Sequence, residues 1–178
     1  LPLGRGISIS ELLGISLLII ITISELSIYG VLYSGWSANS KYPLLGALRS
    51  TAQMISYSVS LSVLFLCLIL INNSINLLDF LEYQNISYFI PLLPIAILFI
   101  ISAIAETNRS PFDLPEAEAE LVSGYNVEYS AMSFALFFLA EYSNIILMSS
   151  LTVILFFGGW FPFFNITLYT QPKPPRPI

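Results

Sequence analysis

The sequence contains no histidine, one cysteine and little charge: of 178 residues, 10% are Asp, Glu, Lys or Arg. Each shortage excludes something. A lone cysteine, Cys67, cannot make a disulfide within the chain. Without histidine and with one thiol, a zinc site or iron–sulfur cluster built by this chain alone is not expected. The net charge of −5 gives no basic excess for nucleic acid. A soluble domain carries about 25% charged residues. Here 56% of residues are hydrophobic and the mean hydropathy is +0.82, which is the composition of an integral membrane protein. The start of the chain lacks the basic n-region and cleavage site of a secretory signal. From its first residue, Leu1, and its proline-rich end at Ile178, the expectation is an interior piece of a longer membrane protein or one product of a divided gene.

Four apolar segments are long enough to span a bilayer, which takes about 20 residues. They run roughly over 12–33, 45–71, 88–105 and 130–157. Backbone polar groups have no water to bond in the bilayer core, so helices are expected. Leu and Ile runs without two-residue alternation argue against barrel strands. The predicted fold is all-α: one polytopic membrane domain over residues 1–178, with a structured acidic loop. Four spans place both chain ends on one side and the connections 34–44 and 106–129 on the other. Lys41, Arg49 and Arg109 then balance Arg5, Lys173 and Arg176, so the positive-inside rule gives no orientation. The stretch 72–87, with Asp79 and Glu82, reads as a connection holding a short interfacial helix.

The charges are concentrated. Residues 106–129, ETNRSPFDLPEAEAELVSGYNVEY, hold six of the eleven acidic residues. Within this stretch Ser110-Pro111 and Asp113-x-Pro115-Glu116 both read as helix starts. On the helix that follows, Glu116 and Glu120 share a face and Glu118 points elsewhere. A solvated acidic loop with capped helices is the plain alternative. Two further acids lie inside apolar runs. Glu141 is expected roughly 16 Å into the fourth helix and Glu25 roughly 12 Å from the end of the first, at the rise of a helix. A charge near the bilayer centre costs on the order of 3 kcal/mol. No Lys or Arg occurs at mid-depth in any span, so the chain is expected to be unable to pair these acids itself. They must then be neutral part of the time, hydrated by a cavity, or paired to another subunit. The alternative is a protonated carboxyl that links helices by hydrogen bonds. Ser56, Ser58, Ser60 and Ser62 are expected to bond back to their own helix.

Two stretches carry a resemblance. The acidic segment followed by FALFFLAEYSNIILMSSLT, and GWSANSKYPLLGALRSTAQMISY over 35–57, closely resemble subunit 1 of proton-pumping NADH:ubiquinone oxidoreductase, respiratory complex I, and its bacterial counterpart. The resemblance implies a multi-pass subunit of the mitochondrial inner membrane. It is part of an H+-translocating NADH:ubiquinone reductase and not catalytic alone. Ubiquinone is its substrate, and no metal or prosthetic group is bound by this chain. Its partners are the other membrane-arm subunits, the peripheral-arm subunits at the quinone site, and membrane lipids. The family's helices that this sequence lacks come from a separate chain or from a longer one. Glu25, Glu106, Asp113, Glu116, Glu118, Glu120, Glu128 and Glu141 are implied as the proton relay. Arg109, Phe134, Phe137 and Phe138 are implied at the quinone tunnel.

One departure stands out. Family members carry a glutamate after the Tyr of ISY, where this chain has Ser58, and often a small residue where it has Glu25. The expectation is that the carboxylate has moved to the neighbouring helix. Two other classes compete: a cation-coupled transporter fragment with Glu25 and Glu141 as the ion site, for which the sequence shows no repeat, and a structural anchor for peripheral subunits.

Overall fold

A computed structural model describes residues 14–83, 90–112 and 129–159. Among them are five helices: α1 (Ser16–Ser37), α2 (Lys41–Asn72), α3 (Leu77–Tyr83), α4 (Leu93–Glu106) and α5 (Ala131–Phe156). No strand occurs among the described residues. Three helices, α1, α2 and α5, are long and apolar enough to cross a membrane.

The fourth expected span is shorter than the sequence suggested. α4 has 14 residues, so it is about 21 Å long against a hydrocarbon core of about 30 Å. Residues 90–92 form turns, and Pro94 occupies the first helical turn, where a missing N–H costs little. At the other end Thr107 N–H donates to the Ala103 carbonyl at 3.1 Å, and Asn108 takes a left-handed φ of 50°, which stops the helix.

The first connection is also tighter than expected. α1 continues to Ser37 and α2 already begins at Lys41, so Lys41 is helical and the link is three residues long. Asn39 makes the reversal with φ 50°. The hairpin closes because its seam is small. A Cβ at Gly35 would collide with the Ala47 Cβ, and Ser24, Ser50, Thr51 and Ser58 are also buried. Small residues let membrane helices approach closely.

Large side chains fill the opposite end. Leu61, Phe65 and Leu68 on α2 meet Phe99 on α4, Leu155 on α5 and Phe80 on α3, all buried. Phe99 packs between the Phe65 and Phe156 rings, with centroids 5.4 Å from each. The short helix expected between the second and third spans is α3. Ser16 Oγ holds its start: it donates to Asn76 Oδ1 at 3.1 Å and accepts from Leu77 N–H at 2.8 Å. Tyr129 Oη donates to the Ser34 carbonyl at 3.0 Å, which brings the start of α5 to the end of α1. Most of the second connection, 113–128, lies outside the described residues.

Candidate functional site

Above the large-residue core the bundle opens into a narrow cleft between α1, α2, α4 and α5. Its polar lining includes Glu25, Ser58 and Glu106; Leu61, Phe65 and Leu151 form its apolar wall. Its volume for water centres is about 10 Å³, the room that one water needs.

Helix geometry puts these groups together. Glu25 lies mid-helix, about 18 Å from the Ser37 end of α1, because α1 is longer at that end than the sequence suggested. Ser24 and Ile28, on the same side, face inward and are buried. Glu106 is the last residue of α4 and only 4% exposed, although in the sequence it opens a polar, charge-rich stretch. Among the described residues its Oε2 has no hydrogen-bond partner and no cation pairs with it. A buried charge without a counter-charge is costly. Ser58 Oγ donates to the Ile55 carbonyl at 3.0 Å, which leaves its oxygen free to accept.

Glu141 behaves differently from the expectation. Arg109 Nε stands 3.8 Å from Glu141 Oε1, and the same guanidinium lies 5.4 Å above the Tyr142 ring. The chain therefore does supply a cation to this acid. The reason is the short α4. Its early end leaves the following turn beside the wall of the bundle, within reach of a side chain about 15 Å into α5.

Gln53 fixes that turn. Its amide faces the carbonyls of Ala105 at 3.1 Å and Phe112 at 2.9 Å, and Asn108 Oδ1 at 3.2 Å. Gln53 sits about 18 Å along α2 from Lys41, so the turn is held well below the top of the hairpin. The Tyr57 and Phe112 rings meet edge to face at 5.6 Å. Residues 107–112 form turns, closed by Phe112 N–H on the Arg109 carbonyl at 2.8 Å. No helix starts at Ser110-Pro111 as the sequence suggested. Gln53 was not singled out from the sequence; a lone amide in an apolar helix was the available signal.

The three phenylalanines lie at the start of α5, apart from the cleft. Phe134 and Phe138 stack edge to face at 4.7 Å, and Phe137 meets Tyr129 at 5.2 Å. Asp113, Glu116, Glu118, Glu120 and Glu128 lie outside the described residues. Of the expected acids, the structure joins Glu25 to Glu106 in the cleft and pairs Glu141 with Arg109. Among the described residues no cluster of three or more His, Cys, Asp or Glu could hold a metal.

These features define a class: an all-helical chain of membrane type that keeps an unpaired carboxyl in its interior. Comparison with known proteins gives the family. The model of the NADH dehydrogenase family matches residues 1–173. The chain is similar to NADH-ubiquinone oxidoreductase chain 1 of Chondrus crispus, 59% identical over 94% of this chain and 52% of the relative. It is 53% identical to an NADH-quinone oxidoreductase subunit of Rhodospirillum rubrum, over 91% of this chain and 48% of the relative. It is also 53% identical to NADH-ubiquinone oxidoreductase chain 1 of Triticum aestivum, over 94% and 51%. The chain belongs to the NADH dehydrogenase family. It spans about half the length of the curated relatives it matches.

Proposed function

We propose that this chain is a core membrane subunit of an H+-translocating NADH:ubiquinone reductase of the mitochondrial inner membrane. It helps to wall the ubiquinone tunnel and carries the first part of an acidic proton relay. The names of its relatives support the complex and the quinone substrate. The observation that carries the relay is the buried Glu106, unpartnered at Oε2, in one cleft with Glu25.

The mechanism follows from where charge can change. Quinone reduction consumes protons, and in the sequence Glu106 and Arg109 precede the acidic stretch 113–128. Glu106 is buried in the bundle and Arg109 is paired with Glu141. A change in charge outside alters the cost of a charge on Glu106. The acids respond as a group, so no single one owns the transition. Arg109, held between Glu141 and Tyr142, can follow the charge on either side of it. Phe134, Phe137 and Phe138 offer an apolar wall for the quinone. The membrane-arm and peripheral-arm subunits, lipids and a source of the remaining family helices complete the site.

The same cleft supports the displaced carboxylate. Glu25, Ser58 and Glu106 line one space, which supports an acid on α1 standing in for one at position 58 of α2. Family membership favours this function over the transporter and anchor readings.

The test uses membranes that contain the chain. Quinone-site blockers should stop NADH oxidation by ubiquinone, and peptide mapping of the purified complex should recover this chain with the other subunits. A complex that lacks the chain yet keeps blocker-sensitive turnover would remove the proposal.

A further inference from the structure

A single amide on α2 holds the chain on both sides of Arg109. Gln53 Nε2 lies 3.1 Å from the Ala105 carbonyl, 3.2 Å from Asn108 Oδ1 and 2.9 Å from the Phe112 carbonyl. The first two oxygens precede Arg109 in the chain and the third follows it. The amide nitrogen has two hydrogens for these three acceptors, so the acceptors share them. The Ala105 carbonyl belongs to the last turn of α4, where carbonyls lack helical partners. Gln53 therefore caps α4 from another helix, one residue before the buried Glu106. One turn further along α2, Tyr57 meets the Phe112 ring at 5.6 Å. Phe112 is thus held by its carbonyl and by its ring from one face of α2.

We infer that Gln53 is a positioning residue for the reaction proposed above: it sets where Arg109 and Glu106 stand. The inference rests on that proposed function for the reaction, and on the hydrogen bonds alone for the geometry. The backbone of Arg109 bonds locally. Its N–H donates to the Ile104 carbonyl at 3.2 Å, and its carbonyl accepts from Phe112 N–H at 2.8 Å. These bonds close the turn on itself and leave its orientation in the bundle open. Contacts that leave the turn fix that orientation. On α2 they are made by Gln53 and Tyr57; on α5 they are made by Glu141 and Tyr142, which the Arg109 side chain itself reaches. The 3.8 Å contact at the end of a long arginine side chain is the looser attachment. The amide, within 3.2 Å of three oxygens, is the tighter one. Without it, buried or half-buried oxygens lose their donor, which is costly. The turn then shifts towards other donors and carries Arg109 and the end of α4 with it.

A double-variant cycle on the purified, assembled complex tests this, with turnover counted per assembled complex. Gln53→Met keeps the length of the side chain and removes the donor. It should lower ubiquinone-linked turnover about tenfold, because small displacements of positioned groups are that expensive. NADH oxidation by a water-soluble acceptor should be unchanged. Arg109→Gln alone should cost about threefold. Added to Gln53→Met it should cost nothing further, because Arg109 has already lost its place. A residue that only holds the fold would leave the two losses independent, and their product of about thirtyfold would overturn the inference. Full turnover in Gln53→Met would overturn it as well. Where Gln53→Met does not assemble, Gln53→Glu carries the same cycle. It has the same shape and at most one hydrogen to offer, so the cost of Arg109→Gln should again vanish. An electron cryomicroscopy map of the wild-type complex needs no variant. It should place the Gln53 amide within hydrogen-bond reach of the Ala105 and Phe112 carbonyls; carbonyls turned away from it would overturn the inference. Independent losses beside wild-type turnover that quinone-site blockers stop would remove the role of Gln53 and leave the proposed function standing. Coupled losses in turnover that blockers do not stop would uphold the placement of Arg109 and remove the proposed function instead.

Discussion

Two acids of this chain, Glu106 and Glu141, face opposite circumstances. Glu141 is partly exposed and has Arg109 within 3.8 Å. Glu106 is buried and its Oε2 has no hydrogen-bond partner among the described residues. The first has a guanidinium beside it to offset its charge within a helix long and apolar enough to cross a membrane. The second cannot hold a charge without a response from its surroundings. Depth in a helix is therefore a poor guide to how a carboxyl behaves; the neighbour across the helix decides. The predictions that follow remove, move or replace those neighbours.

The largest effect is expected at the unpartnered acid. Glu106→Gln keeps the shape and removes the proton. Ubiquinone-linked turnover should fall about a hundredfold, the lower range for loss of a positioned proton-transfer group. Blue-native gels should show a normal amount of assembled complex. Loss of the assembled complex would mean that Glu106 holds the fold, and the contrast with Glu141 would be structural.

Next comes the position of the second acid in the cleft. Glu25→Ser should reduce turnover about tenfold, or roughly 1.4 kcal/mol in the barrier. Adding Ser58→Glu should restore most of it, because position 58 borders the same space. Normal turnover in Glu25→Ser, or a double variant no better than the single one, would end the idea that the cleft needs one carboxylate opposite Glu106.

The ion pair should respond less. Arg109→Gln leaves Glu141 without the guanidinium beside it. About a threefold drop in ubiquinone-linked turnover is expected, because the pair is long at 3.8 Å and contributes a fraction of a tenfold barrier change. A loss as large as that of Glu106→Gln would show that Arg109 contacts the quinone or the relay directly.

How much of this was legible in the sequence divides along the same line. The helices were, because Leu61, Phe65 and Leu68 repeat at helical spacing and few polar residues interrupt them. The conflict between Glu25 and its apolar helix was visible too. The pairing of Glu141 was not, because it depends on where α4 stops. That end is set by Asn108 turning left-handed with its side chain held by Gln53 of another helix. Nothing local to 88–106 encodes a partner 55 residues away in sequence. Glu106 opens a charged stretch that reads as a solvated loop or, by resemblance, as part of the relay; its burial at the last residue of α4 was not legible for the same reason.

The smallest effect sharpens the comparison from the neutral side. Of the four serines of α2 expected to bond to their own backbone, Ser56, Ser58 and Ser62 do so, while Ser60 Oγ meets Ser102 Oγ on α4 at 2.9 Å. This bond joins the two helices one turn from the acid at the end of α4. If α4 is positioned mainly by packing of Phe99 and by Gln53, then losing the hydroxyl pair matters little. Interhelix hydrogen bonds in membranes average about 0.6 kcal/mol. Ser60→Ala and Ser102→Ala should each lower the stability of the complex by about that amount, and the double variant by no more than either, since each single already breaks the bond. Thermal unfolding of the purified complex measures it. Turnover should not change in any of the three. If it fell with the Ser60–Ser102 bond, Glu106 would depend on the tilt of α4 itself, and the unpartnered state of its carboxyl would be a consequence of a helix held under tension by a neutral pair.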